Sequence, residues 1–423
     1  MRRGDIVRFQ RLQIAGWRQF LDIDIQFHSR LTVITGSNGA GKSTLLRVLS
    51  QHFGIPFQPL ATPKADKSGL ISYLMGIFRN QKDTNASSVR VGTLEYSNNH
   101  RAYLSVNQSN AVAYNISLDN QAHVNGLFIN SHRPVSTYQQ VSSIPTNAIT
   151  AEVAYQQYNQ ELMVRYHNGN TGLSPTYRIK EAIISMATFG LGNANVSGNE
   201  VLAKSYTDFK LILEKVLPKS IGFIDIQVRI PDVVIITNTG EFVIDAASGG
   251  LMSLIDLSWQ IFLYSHNKDD FIVVMDEPEN HLHPSMQRTV LPSLVDAFPN
   301  AQFIVATHSP FVVSSVQDSL VYALRYRDVD GHHDGSILPG ERRVASERLS
   351  FSQKGGGASE ILKSVLGVPV TMPVWAEESL DNIASNFAVS DLTREGISAL
   401  RKKLDDAGLG DFYGETLGKI TSR

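Results

Sequence analysis

The sequence predicts an α/β fold: a mixed, mainly parallel sheet with an antiparallel β-lobe and a helical insertion. Three observations carry that expectation. Short apolar runs recur, each followed by a helical stretch: RLTVITG before TLLRVLSQHFG, then DFIVVMDEPE and QFIVATHSP on either side of PSMQRTVLPSLVDAF. Residues of about 55–130 are rich in Ser, Asn, Gln and Thr and alternate apolar with polar, as in VRVGTLEY and AYLSVNQ, which predicts antiparallel strands and loops. From 145 to 220, AEVAYQQYNQELMVRYH and YTDFKLILEKVL read as helices around a Gly/Asn-rich break at GLGNANVSGNE.

Taken in order, FQRLQIAGWRQFLDIDIQF alternates as half-buried strands do, and RLTVITG is a β-branched, buried-type strand ending in glycine. The helix after the glycine loop carries Leu45, Leu46, Val48, Leu49 and Phe53 near one face, with Gly54 as its stop signal. Strands return at GFIDIQVRI and VVIITNTGEFVI, and ASGGLMSLIDLSWQIFLYS opens a helix directly after two glycines. From about 320 the pattern is mixed, with a hinge at QKGGGASE and a charged helix at DLTREGISALRKKLDDAG. The expected organisation is 1–144 and 221–320 as two parts of one head, 145–220 as the insertion and 321–423 as a mixed, helical tail. Heptads are not sustained, so no long coiled coil is expected.

A chain of 423 residues is longer than one core fills, in keeping with an insertion or a second lobe. Lys and Arg number 38 against 40 Asp and Glu, so no bulk charge pulls the chain toward nucleic acid or an anionic membrane; DNA remains a candidate ligand only through a local basic face. The basic pieces RYR at 325–327 and ERR at 341–343 are short and read as surface. With no cysteine there is no disulfide framework or thiolate metal site, which fits a cytoplasmic protein. The N-terminus lacks a signal-peptide core and no run approaches eighteen apolar residues, so no membrane partner is expected.

Four motifs carry chemistry. In GSNGAGKST, Gly36 to Thr44, the glycines let successive N–H groups turn toward phosphate oxygens at the positive end of a helix. Asn38, Gly39, Ala40, Gly41, Lys42, Ser43 and Thr44 are the expected ATP-binding residues; Lys42 would reach the β- and γ-phosphates and Ser43 would ligate Mg²⁺. FIVVMDEPE ends a buried strand on Asp276 and Glu277, a pair costly to bury without a cation and a reaction: Asp276 for Mg²⁺, Glu277 to orient and deprotonate the attacking water. FIVATHSP ends a second buried strand on His308, a candidate γ-phosphate sensor. ASGGLM places Ser248, Gly249 and Gly250 at a helix N-terminus, a second anion site whose natural use is the γ-phosphate held by a partner subunit. His281 and His283 could be drawn with Glu279 as a metal site, but no third well-spaced ligand supports it.

These four motifs in this order resemble the ABC-type ATPases, and LQIAGWRQFLDIDIQFHSRLTVITGSNGAGKST resembles their SMC-like branch, which serves chromosome maintenance and DNA repair. The resemblance covers about residues 6–54 and 225–315. It implies a P-loop head that pairs with a second copy around two ATP molecules, with Lys42, Glu277 and His308 as catalytic residues and Ser248, Gly249 and Gly250 acting in trans. It also implies a glutamine contacting Mg²⁺, for which HRPVSTYQQVSS offers Gln139 or Gln140. LMSLIDLSW and DEPENHLHPS depart from the pattern of membrane transporters, whereas EPENHLHP resembles OLD-like ATPases of anti-phage and abortive-infection systems. SEILKSVLGVPV is similar to ATPase subunits of Septu-, retron- or PARIS-type defence. The residues after His308 show no Glu then Asp-x-Asp arrangement of a Toprim nuclease, so a separate effector, a nuclease or toxin, is the expected partner beside the homodimer or higher homo-oligomer. The alternative expectation is an SMC-like ATPase of DNA repair or chromosome maintenance.

Overall fold

The computed structural model describes residues 7–65, 71–76, 88–107, 111–133, 137–166, 169–266, 268–328, 342–368 and 373–421. Glu341 of the second basic piece and the last two residues of SEILKSVLGVPV lie outside the described residues.

Strands β1 (Phe9–Trp17) and β2 (Phe20–Gln26) pair antiparallel, and alternation buries every second or third side chain on one face. β3 (Leu31–Gly36) is buried at every position and feeds the glycine loop and α1 (Lys42–Ser50). A 3₁₀ turn then ends at Gly54 with φ 76°, the stop the glycine predicts. β4 (Thr62–Ala65) and β5 (Ile71–Leu74) form a small antiparallel pair; β6 (Ser88–Tyr96), β7 (Arg101–Asn107) and β8 (Ile116–Asp119) extend antiparallel from β1. β9 (Gly126–Ile129) ends this region.

The insertion comprises α2 (Ala151–Tyr166), α3 (Pro175–Leu191), capped by Ser174 with Pro175 in its first turn, and α4 (Glu200–Val216), capped by Asn199. β10 (Phe223–Arg229), β11 (Asp232–Thr237) and β12 (Gly240–Val243) make a separate antiparallel sheet under α3 and α4. Next come α5 (Gly249–Ser265), β13 (Phe271–Asp276), α6 (Pro284–Gln287), α7 (Val290–Ala297), β14 (Ala301–Ala306), α8 (Pro310–Val313), β15 (Leu320–Asp328) and β16 (Arg342–Arg348). α9 (Phe351–Lys354), α10 (Ala358–Ser364), α11 (Val374–Ser385), α12 (Arg394–Asp406) and α13 (Tyr413–Thr421) complete the chain.

The main sheet has 11 strands in the order β8-β7-β6-β1-β2-β16-β15-β3-β14-β13-β9. From β15 to β9 every neighbour is parallel; from β8 to β2 every neighbour is antiparallel. The expected antiparallel lobe is therefore one half of the central sheet, continuous with it through β16. Two expectations are corrected. β9 belongs not with the antiparallel strands but at the parallel edge, pairing Ile129 with Met275, because its GLFI run is buried enough to extend that layer. β15 and β16, read as the start of a tail, join the two halves of the sheet, and the compact units divide between Ile361 and Leu362. The second unit, Leu362–Arg423, is helical, with its own core of Ala376, Leu380, Ala384, Leu400, Leu404, Leu409 and Ile420.

Candidate functional site

Parallel strands bring their C-terminal ends to one side of a sheet, where backbone turns and helix N-termini are free to meet a ligand. Here β3, β13, β14 and β9 deliver Gly36, Asp276, Ala306 and Ile129 to that edge, so three of the four predicted motifs meet there. The loop after β3 requires its glycines. Gly41 has φ 98°, and a Cβ there would lie 2.4 Å from Gln19 Nε2 and 2.5 Å from the Phe20 ring. Asn38 and Gly39 are exposed at the crest, Ala40 is buried beneath, and Ser43 is exposed and Thr44 half-buried at the start of α1.

Lys42 is buried and folds back over the loop, its Nζ donating to the carbonyls of Gly36 (2.9 Å) and Ser37 (3.1 Å). Burial lowers its pKa to about 8, against the pull of Glu277, Asp276 and Glu279. The same ammonium lies 3.4 Å from His308 Nδ1, while His308 Nε2 lies 3.5 Å from Glu277 Oε1. Burial, then the Lys42 charge, lower the His308 pKa. A neutral ring that accepts at Nδ1 from Lys42 and donates at Nε2 to Glu277 satisfies both neighbours.

Asp276 is buried with its Oδ1 unbonded, and burial raises its pKa against a hydrogen bond with Ser43. An orphaned carboxylate oxygen beside a helix N-terminus and a serine hydroxyl fits a divalent cation. Asp276 and Ser43 would hold Mg²⁺, and the glycine cradle suits a nucleotide's phosphates. Glu277 is one residue on, at φ 48°, an uncommon backbone for a non-glycine, with its N–H bonded to Ala306 O at 2.9 Å.

Three further residues hold this arrangement and were not singled out for it in the sequence. Glu279 accepts from the Thr307 hydroxyl and from the backbone N–H groups of His308 (2.9 Å) and Ser309 (3.2 Å), locking the acidic loop to the histidine loop. That use removes Glu279 from His281 and His283; His283 instead caps α6 through Ser285. Asn280 Nδ2 donates to Glu277 Oε2 (3.0 Å) and to Ser131 O (3.2 Å). Arg133 donates to the carbonyls of Asn280 (3.2 Å), Pro278 (3.3 Å) and Glu277 (3.5 Å). The signal was available: GLFINSHR is a third apolar run ending in polar residues, like the runs that end in Asp276 and His308.

The fourth motif stands apart. Ser248 caps α5, accepting from Leu251 N (3.4 Å), and both Ser248 and Gly249 are exposed, with nothing within 4 Å of a Cβ placed on Gly249. Gly250 packs against His281 O and Met286. Gln139 is committed elsewhere: its amide bonds Gly172 O (2.9 Å) and Ser174 N (3.0 Å), anchoring the start of α3. Gln140 is exposed, and among the described residues no hydrogen bond holds it to Ser43 or Asp276.

A glycine loop between a buried strand and a helix, with an acidic strand end and a histidine strand end alongside, defines a P-loop head of the ABC type. The chain belongs to the RecF/RecN/SMC N-terminal domain family, whose model matches residues 8–328. It is similar to the retron Vc95 probable ATPase of Vibrio cholerae serotype O1 biovar El Tor, 34% identical over 108 residues, covering 23% of this chain and 21% of that protein. It is also similar to a Septu protein PtuA of Bacillus thuringiensis, 26% identical over 193 residues, covering 42% of this chain and 46% of that protein. The aligned region is thus less than half the length of either relative. Among solved structures, the SMC head domain from Thermotoga maritima aligns with 81% of this chain and 99% of its own at 14% identity and a TM-score of 0.42.

Proposed function

We propose that this chain is an ATP-hydrolysing ABC-type switch that pairs around ATP and controls a separate effector in bacterial anti-phage defence. The observation that carries the reading is the meeting of Lys42, Asp276, Glu277 and His308 at neighbouring parallel strand ends beside a glycine cradle. In this reading Gly39, Ala40, Gly41, Lys42, Ser43 and Thr44 bind the phosphates, with Asn38 at the loop crest. Mg²⁺, held by Ser43 and Asp276, would offset phosphate charge when bound. Glu277 takes the proton of the water attacking the γ-phosphate, and His308, between Glu277 and Lys42, orients that carboxylate and senses the phosphate. Charge stabilisation and positioning do most of the work in such a transfer.

Ser248, Gly249 and Gly250 present the free N-terminus of a 17-residue helix, suited to a phosphate on a second copy of the chain. The names of the two relatives, a Septu protein and a retron ATPase, support the defence setting; the effector, a nuclease or toxin on a separate chain, is part of the same proposal. The same reading puts the chain in the cytoplasm; among the described residues no helix is long and apolar enough to cross a membrane. The second reading, an SMC-like ATPase of DNA repair or chromosome maintenance, is favoured by the family itself. DNA binding that needs ATP and weakens steeply with salt would support the second reading over the first.

The test is phosphate release and ATP affinity measured together for wild type and Glu277→Gln. Hydrolysis lost with binding kept supports the assignment; a variant that hydrolyses like wild type overturns it.

A further inference from the structure

We infer that Arg133 is a positioning residue: its guanidinium fixes the backbone of the Glu277 loop and couples that loop to the helix α5 that carries Ser248. The inference rests on the ATPase reading above and deepens it. β9 runs parallel to β13, so residues 130–133 leave the sheet alongside residues 276–280. The two segments are then laced together. Arg133 holds the carbonyls of Glu277, Pro278 and Asn280, and Asn280 Nδ2 bridges Ser131 O to the Glu277 carboxylate. A glutamate at φ 48° keeps that backbone only where its surroundings over-determine it, and three carbonyls on one rigid fork do so.

The other side of Arg133 faces α5. Its Nε is buried without a hydrogen-bond partner, and Arg133 lines a cavity of about 310 Å³ together with Asp256, Gly249, Met252 and His281. Asp256 is buried on α5, accepts from Tyr158 of α2 and from Gln260 (3.0 Å), and carries the charge that balances Arg133. Burial lowers the Arg133 pKa and raises that of Asp256, and the opposite charge of each opposes the other's shift across the cavity they share. Tyr166 on the same insertion helix donates to His132 O (3.4 Å). A shift of α5, whose N-terminus would meet nucleotide on the partner, therefore moves Asp256, then Arg133, then the loop that aims Glu277. Each head's base is set by the helix that serves the other head's nucleotide.

The experiment uses the full chain with Arg133→Met, Arg133→Lys, Asp256→Asn and the Arg133→Met/Asp256→Asn pair, alongside Glu277→Gln. Steady-state hydrolysis, equilibrium ATP affinity, thermal midpoint and amide exchange of residues 279–282 are read for each. We expect Arg133→Met to lower kcat about 100-fold while ATP affinity stays within about threefold, the split that a misaimed base produces. Lys should recover part of kcat, and adding Asp256→Asn to Arg133→Met should cost nothing further, because Asp256 acts on the loop only through the charge of Arg133 across the cavity. A folded Arg133→Met with wild-type kcat, equal losses of kcat and affinity, or additive losses in the pair would each overturn the inference. If Arg133→Met does not fold, Arg133→Lys and Asp256→Asn carry the same comparison. If Glu277→Gln hydrolyses like wild type, the ATPase assignment fails instead, and amide exchange still decides: faster exchange at 279–282 in Arg133→Lys supports the clamp, and unchanged exchange overturns it.

Discussion

Glu277 and Lys42 stand on either side of His308, an acidic and a basic side chain about one imidazole. In the proposed mechanism, replacing Glu277 with Gln keeps the size but removes the base and turns one of the two accepting oxygens into a donor, so kcat should fall about 10²- to 10⁴-fold while ATP affinity holds. Phosphate release beside equilibrium binding checks this. Lys42 is held near a pKa of about 8 by burial, so it is charged below that pH and increasingly neutral above it. Phosphate favours the charged form, hence ATP affinity should be flat below pH 8 and decline above it, with Lys42→Met weak and without that decline. Binding titrations from pH 7 to about 9.5 decide it. At this scale the sequence was explicit about residues whose chemistry is rare, a Lys after glycines or an acidic pair after an apolar run. It did not show the roles of Glu279, Asn280 and Arg133, which depend on His308, Ser131 and the Glu277 loop, partners distant along the chain.

The elements behind the site depend on packing that the loop itself does not display. After α1, His52 Nδ1 donates to Leu49 O (3.0 Å), its Nε2 accepts from the Tyr96 hydroxyl (2.7 Å), and the ring packs edge-on against Phe9 at 4.8 Å. Burial pushes its pKa down to about 4. The unfolded chain, with an ordinary histidine near 6.5, then binds more protons than the folded one between those two values. Stability is therefore full above about pH 6.5 and is lost as pH falls toward 4, by at most about 3 kcal/mol from this residue. Urea unfolding at pH 7 and at about pH 4.5 should give His52→Gln a smaller acid loss than wild type, even if the variant starts less stable. Element identity was largely legible, because buried parallel strands read as unbroken apolar runs and helices as 3.6-residue stripes. The pairing of β9 was not, since a four-residue apolar strand has the same pattern beside a parallel or an antiparallel neighbour.

For the whole molecule, the N-terminal end of α5, with Ser248 and Gly249 exposed, is the feature that a second copy should complete. Glu277→Gln with Mg-ATP should raise the solution mass toward that of a pair, and ADP should not, as read by sedimentation. Ser248→Arg should cost only about 1 kcal/mol of helix capping yet block that rise. Mixing Ser248→Arg with Lys42→Ala chains provides a sharper test. If sites are shared, the mixture should recover hydrolysis that neither variant has alone, since one composite site then draws an intact loop from one chain and an intact α5 end from the other.

What the sequence determined by itself was the local folding: which strands are buried, where helices begin, and that GSNGAGKST, DEPE and THSP stand at strand ends with the side chains on which the proposed chemistry rests. These depend on residue type and near spacing, which the chain carries in plain view. The tertiary structure decided which ends meet. It made the antiparallel lobe continuous with the parallel sheet through β16, brought β9 beside β13, and set Arg133 between the Glu277 loop and α5. The reason is physical: hydrogen-bonding edges accept any strand of suitable pattern, and only the packing of the whole core selects one neighbour from the rest.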